Sequence, residues 1–453
     1  MVCSLNFGVE FKFPTKKVTF RGLSHCRHCR QFKYWDKNKM RRVVITGLGI
    51  VAPNGIGKDE FWQSLISGKS GIDKINSFDA SDLPCQIAGE VKNFEPTLYL
   101  NSKQARRMSR VAQFAVVSAK MAIEDSGLEI SDENRHEIGV CFGTTLGKGN
   151  IFEQDHAESL KRGMKGIYPL TALQFCPHSL TGYVSVELGI SGQATTMSSG
   201  CATGLDVIIW SYSQIRDGRM KAIIAGSAET PLFPFFFSAL CASGNLSTRN
   251  DDPKGASRPY DLKRDGLVIS EGGSAVLLED LESALDRGSK IYAEVLGFSS
   301  VEEGLDMLKC DISGENLART IKAALAMAKL DASDIDYICA HGNSMPDYDI
   351  AETNAFKLVF GERAYKIPIS SIKSMTGQPL AATGGFQVVA SCLTLQNGIV
   401  PPTINYEIPD PNCDLDYVHN QARVARIQTV LINAHSLGET HSVLILGQYL
   451  KGQ

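Results

Sequence analysis

The sequence has no apolar run near the roughly 18–20 residues that a membrane-spanning helix needs, so no spanning segment is expected. Its densest aromatic stretch, Leu232-Phe-Pro-Phe-Phe-Phe237, is short and broken by Pro234; it fits core, pocket lining or a subunit interface. Neither charge sign is in excess: 46 Lys and Arg against 49 Asp and Glu leave a net charge of −3, which argues against a nucleic-acid binder. The twelve cysteines lack the spacing of a disulfide framework and read as reduced thiols of a cytoplasmic enzyme. The full G-x-G-x-x-G fingerprint is missing too. Val44-Ile-Thr-Gly-Leu-Gly49 reads as a buried strand entering a glycine turn, but Pro53-Asn-Gly55 follows where a helix should start. The pair in His25-Cys-Arg-His-Cys29 has no downstream partner at zinc spacing, and no metal, flavin or nucleotide is expected.

Residues 1–39 differ from the rest. They carry Lys12, Lys16, Lys17, Arg21, Arg27, Arg30, Lys33, Lys37 and Lys39 against Glu10 and Asp36, without the apolar core of a secretory signal. This predicts a disordered basic arm, or a start codon placed too early, ahead of a domain that begins at Met40.

Most of the chemistry points to Met197-Ser-Ser-Gly-Cys-Ala-Thr-Gly-Leu-Asp206. Ala194-Thr-Thr ends a strand and Gly204-Leu-Asp-Val-Ile-Ile-Trp210 opens an apolar helix, so Cys201 sits at the positive end of a helix dipole. That position favours thiolate and makes a nucleophile. Gly200 and Gly204 leave room for a sharp turn and a closely packed ligand. A lone cysteine among small residues is also a common core thiol, and this stretch alone leaves both readings open.

An internal repeat organises the chain. Val116–Asp132 gives a helix, a Ser-Asp break and the strand Val140-Cys-Phe-Gly143; Thr320–Asp334 gives the same order, ending in Tyr337-Ile-Cys-Ala-His-Gly342. A duplicated α/β unit follows, with halves at 40–288 and 289–453 and a site between them. His341 ends the strand in the second copy, where loops hold catalytic groups, although a single histidine is often structural. Ile369-Ser-Ser-Ile-Lys-Ser-Met-Thr-Gly-Gln-Pro carries Lys373 and Gln378 through another strand-turn-helix. Ser102–Gly127 reads as one long helix whose first turns cluster Lys103, Arg106 and Arg107, on charge alone a solvated face.

These stretches, with Leu246-Ser-Thr-Arg-Asn250, Ser257-Arg-Pro-Tyr-Asp261, Arg264-Asp-Gly266, Glu271-Gly-Gly273 and Pro401-Pro-Thr-Ile-Asn405, resemble the β-ketoacyl-acyl-carrier-protein synthases from about Met40 to Gly447. The resemblance implies the α/β thiolase-like fold, two duplicated halves in a layered αβαβα arrangement. It implies a fatty-acid or polyketide-like condensing enzyme. Cys201 takes an acyl group from acyl carrier protein, and malonyl-carrier protein then loses CO2 and attacks the thioester. His341 matches the first active-site histidine and Lys373 the neighbouring lysine. Asp349 and Glu352 match the acids that tie loop to lysine, and Lys103, Arg106 and Arg107 match the helix that docks acidic carrier protein. A homodimer, or a heterodimer with a related synthase, is implied.

Departures from the pattern fall on one pocket. Gln378 stands where the family has its second histidine. It can donate a neutral N–H but cannot exchange a proton, and losing one preorganised donor typically costs about 2.7–4 kcal/mol of barrier. A related branch of condensing enzymes uses Cys-His-Asn, so an amide is compatible with the chemistry. Asn343 and Met345 replace two threonines for the pantetheine arm. The closing Asn-Ser-Phe-Gly-Phe-Gly-Gly-Thr-Asn becomes Asn433-Ala-His-Ser-Leu-Gly-Glu-Thr-His441, which puts His435 and Leu437 at the gate. His435 could replace the missing imidazole. Three functions follow: a specialised condensing enzyme, an acyl-transfer enzyme without decarboxylation, or a non-catalytic partner of an active synthase. The retained Cys201 counts against the last.

Overall fold

The computed structural model describes residues 40–450 apart from residues 306, 308 and 439. The basic segment and its His25-Cys-Arg-His-Cys29 lie outside the described residues. The first strand, β1 (Val43–Ala52), is buried along its whole length. Gly47 and Gly49 lie inside this strand rather than in a turn. A Cβ on either would come within 2.0 Å of the Ala122 or Ser118 carbonyl of the helix above, so glycine lets helix and sheet approach.

Four further strands of the first half lie side by side with it in the main sheet order: β2 (Ile138–Gly143), β3 (Ala194–Met197), β4 (Ala222–Glu229) and β5 (Gly272–Asp280). Five follow: β6 (Ala293–Glu302), β7 (Tyr337–Cys339), β8 (Ile369–Ser370), β9 (Thr429–His435) and β10 (Thr440–Gly447). In space the order is β1-β5-β4-β2-β3, and from β6 outward β6-β10-β9-β7-β8. Each half therefore runs first, fifth, fourth, second, third strand. The pairings repeat as well: antiparallel from first to fifth to fourth, parallel onward. The duplication expected from the repeated helix-break-strand pattern is thus present in topology. The halves join where β1 meets β6, at Val44 with Glu294 and Ile45 with Ala293.

Helices α1 (Ser102–Arg107), α2 (Arg110–Ser126), α3 (Thr203–Arg216), α4 (Glu315–Ala328), α5 (Pro346–Phe360) and α6 (Thr383–Asn397) form the layers that matter here. The long helix expected over Ser102–Gly127 is two. Met108 is extended, and the Ser109 hydroxyl caps the second helix by accepting from Ala112 N–H. Helices α3 and α6 lie back to back between the half-sheets, while α2 covers the first half-sheet and α4 the second. Helix α6 is buried from Thr383 to Leu395, as a helix sandwiched between sheets must be. The largest apolar cluster draws on both halves, from Val43 to Leu446. Among the described residues no helix is long and apolar enough to cross a membrane.

Candidate active site

Cys201 lies immediately before α3, in a turn closed by Thr203, whose hydroxyl donates to Gly200 C=O (2.6 Å) and accepts from Ser199 N–H (2.8 Å). Gly200 has φ +60°, and a Cβ there would lie 2.7 Å from Ser436 Cβ, so the turn needs glycine for conformation and space alike. Gly204 serves a different purpose from the one expected: a Cβ there would lie 2.6 Å from Gly385 N, so it admits the backbone of α6 rather than a ligand.

The helix-mouth position does not produce a resting thiolate. Cys201 is only 8% exposed, and burial pushes its thiol up to about 11. The Gln378 side chain, the Leu437 N–H and the Lys373 charge lie close enough to the sulfur to favour thiolate, and all three pull the other way. Burial outweighs them. At neutral pH the sulfur is therefore held as a neutral thiol.

His341 follows β7 and is fully buried. Its backbone N–H donates to Glu352 Oε1 (2.7 Å) and its carbonyl accepts from Lys373 Nζ (2.5 Å). Its ring Nδ1 accepts from the His435 backbone N–H (3.3 Å), and Asn343 Nδ2 stands 3.3 Å from Nε2. One neutral ring cannot accept at both nitrogens. The backbone donor is fixed and the Asn343 amide can swing, which puts the ring proton on Nε2. Burial, then the neighbouring His435, Lys373 and His441, hold this imidazole well below its usual range and therefore neutral.

The two acids differ from expectation in what they tie together. Glu352 accepts from the N–H groups of His341 and Gly342 (3.0 Å), Asn433 Nδ2 (2.6 Å) and the Tyr260 hydroxyl (2.5 Å). Asp349 accepts from Asn343 N–H (3.1 Å) and Tyr260 N–H (2.8 Å) and pairs with Arg264 at 3.3 Å. The link from acid to lysine therefore runs through the His341 peptide. Burial lowers Lys373 to about 8 and raises Asp349 to about 7.

The segment 435–437 bridges the halves at the site. The His435 amide holds His341, the Ser436 hydroxyl donates to Ser199 C=O (3.0 Å) and the Leu437 N–H lies near the Cys201 sulfur. Leu437 is half exposed, and Met345 packs on the apolar cluster that includes Cys201. Gln378 is buried, anchored by its backbone to Val268 (2.8 Å) and Ser270 (3.0 Å), with its Oε1 lacking a partner among the described residues. Lys103, Arg106 and Arg107 are exposed on α1, spaced to share one helix face. Glu229 went unmarked in the sequence reading. It is buried beside Cys201, accepts from Thr145 N–H (2.6 Å), Leu146 N–H (3.2 Å) and Thr144 Oγ1 (3.0 Å), and burial raises it to about 7. A carboxylate held by a distant loop leaves no local pattern to read. Among the described residues no cluster of His, Cys, Asp or Glu could hold a metal ion.

A buried cysteine before a helix of the first half, with the charge of Lys373 near its sulfur and that lysine bonded to the His341 carbonyl in the second half, is an arrangement of thiolase-like proteins. The beta-ketoacyl synthase N-terminal domain matches residues 40–284 and the C-terminal domain residues 292–407. The chain is 41% identical over 408 residues to 3-oxoacyl-[acyl-carrier-protein] synthase 2 of Coxiella burnetii, covering 90% of this chain and 99% of that protein. It is 39% identical to the tetracenomycin polyketide synthase ketoacyl synthase alpha subunit of Streptomyces glaucescens, covering 90% and 97%. Among solved structures it is similar to a type II polyketide ketosynthase in complex with its acyl-carrier protein: TM-score 0.85, 37% identity, 91% of this chain and 100% of that one. A beta-ketoacyl synthase from Burkholderia phymatum gives 0.83 at 32% identity, with 91% and 100% covered. The chain belongs to the beta-ketoacyl synthase family and has its thiolase-like fold.

Proposed function

We propose that this protein is a condensing enzyme of fatty-acid or polyketide-like biosynthesis, with Cys201 as acyl carrier and His341 as donor to the malonyl thioester. The observation that carries this is the 435–437 segment, whose His435 N–H donates to the His341 ring and whose Leu437 N–H lies near the Cys201 sulfur. In acylation the sulfur attacks the acyl thioester carbonyl, the thiol proton passes to the departing pantetheine sulfur, and the Leu437 N–H stabilises the oxyanion. In condensation the malonyl C–C bond to the carboxylate breaks and CO2 leaves. The resulting enolate oxygen is held by His341 Nε2–H, its carbon bonds the acyl carbon, and the C–S pair returns to Cys201. The Lys373 cation stabilises that thiolate. The acyl-group and carrier-protein partners follow from this reading, with Lys103, Arg106 and Arg107 as the docking face.

The protein acts as a dimer in this reading, homodimeric or paired with a related synthase. Among the described residues edge strand β3 is paired on one side only, and Phe152, Leu160, Met164, Leu173 and Phe175 expose apolar surface in one segment. The nine cysteines of the described residues are all free, which supports the cytoplasm as its compartment.

A second reading, acyl transfer without decarboxylation, is favoured by one observation: the Gln378 amide lies near the Cys201 sulfur and favours its thiolate. Incubation with acyl-carrier protein, then malonyl-carrier protein, separates the two. A Cys201 adduct followed by CO2 and β-ketoacyl product supports condensation; an adduct that persists supports transfer. Loss of the adduct in Cys201→Ala is the control. Gln378→His should raise the condensation rate if the amide limits it.

A further inference from the structure

Two more histidines pack in series with His341. The His435 ring meets the His341 ring edge-to-face, centroids 4.1 Å apart. The His441 ring is 5.6 Å from that of His435, because the two residues are directly opposite across the antiparallel β9–β10 pair. His441 Nε2 in turn lies 2.5 Å from Glu303 Oε1, and both side chains are over nine-tenths buried. The Glu303 contact puts the His441 proton on Nε2 and leaves Nδ1 as an acceptor. His435 Nε2 and His441 Nδ1 have no hydrogen-bond partner among the described residues. Apolar residues would fill this volume at no polar cost, so two buried imidazoles and a carboxylate need a reason.

The proposed reaction supplies one. Acylation moves a proton from one sulfur to another. Condensation turns a carboxylate into CO2 and leaves Cys201 as thiolate, so each turnover takes up one proton from solvent. Gln378 cannot carry it. We propose that His435, backed by His441 and Glu303, is the proton-exchanging group of this site and returns that proton to the Cys201 sulfur. Its backbone N–H already occupies His341 Nδ1, so delivery runs from the His435 ring toward the sulfur, by ring rotation or one water, and not through His341. Glu303 fixes the His441 ring, and His441 packs against the His435 ring and biases its protonation. The titratable groups facing His435 are His341, His441, Tyr348 at 5.1 Å on α5 and the Lys373 cation. Together with burial they keep the ring neutral at rest, which suits a group that accepts a proton only to pass it on.

This inference rests on the condensation reading, and its test separates the two. The full chain is compared with His435→Phe, which keeps a ring without proton exchange, and with His441→Gln and Glu303→Gln. The condensation rate is divided by the Cys201 acylation rate of the same preparation. The relay predicts a ratio lowered roughly tenfold or more in His435→Phe and His441→Gln. It also predicts partial recovery by added imidazole in His435→Ala. A ratio within about twofold of wild type in His435→Phe overturns it. The second readout needs no turnover: in ring-15N-labelled protein, Glu303→Gln should move the titration midpoints of both His441 and His435. Movement of His441 alone overturns the relay. If wild type acylates without condensing, the functional reading fails, and the ring titrations still decide whether the three groups are coupled.

Discussion

Alkylation of Cys201 should expose the balance between burial and the helix mouth. With its thiol at about 11, about one sulfur in 10,000 is thiolate at pH 7, against about one in 30 for a free cysteine near 8.5. Iodoacetamide should therefore modify Cys201 about 300-fold more slowly than a small thiol, and the rate should climb about tenfold per pH unit from 6 to 9.5. Removing the amide donor in Gln378→Leu weakens a hydrogen bond to a charged sulfur, worth about 1.5–3 kcal/mol. The rate at fixed pH should then fall at least tenfold. Peptide mass mapping separates Cys201 from the half-buried Cys176, Cys241 and Cys310. A rate that levels off near pH 7 would refute the reasoning, because the helix dipole and Lys373 would then outweigh burial.

Glu352→Ala strips the acceptor from two backbone amides, Asn433 and Tyr260, all buried; a loss of about 3–5 kcal/mol is expected, read by urea unfolding. Glu229 is raised in the fold from 4.5 to about 7, so the folded chain binds the proton more tightly than the unfolded chain. Stability from this group is therefore full below 4.5 and declines as pH rises to about 7, by about 3 kcal/mol in all. Glu229→Gln should flatten the unfolding free energy between pH 5 and 7.5 relative to wild type; an unchanged slope contradicts the assignment. Reversing Lys103, Arg106 and Arg107 to Glu should raise the KM for carrier protein several-fold at low salt with kcat little changed, and the effect should shrink as salt is added.

Much of this architecture was legible because its signals are local. The helix-break-strand pattern appears twice within short windows, and the topology repeats strand for strand. The glycine-flanked cysteine declared its turn through Gly200, where backbone angle and crowding both forbid a side chain. Distance hid the rest. The break at Met108 depends on the Ser109 cap, a weak signal inside an alanine-rich window. Thiolate character was misjudged because a sequence displays the helix mouth but not the residues that later bury the sulfur. Glu229, the 435–437 bridge and the His441–Glu303 pair come together only when the strands align. Gly204 was read toward a ligand because the approach of α6 is invisible from α3 alone.

The most direct measurement is intact-mass detection of an acyl adduct on Cys201 after mixing the full chain with acyl-carrier protein. The account predicts one acyl group per chain, mapped to the Cys201 peptide, lost in Cys201→Ala and discharged with β-ketoacyl product when malonyl-carrier protein is added. An unmodified Cys201, or an adduct that survives Cys201→Ala, would contradict it.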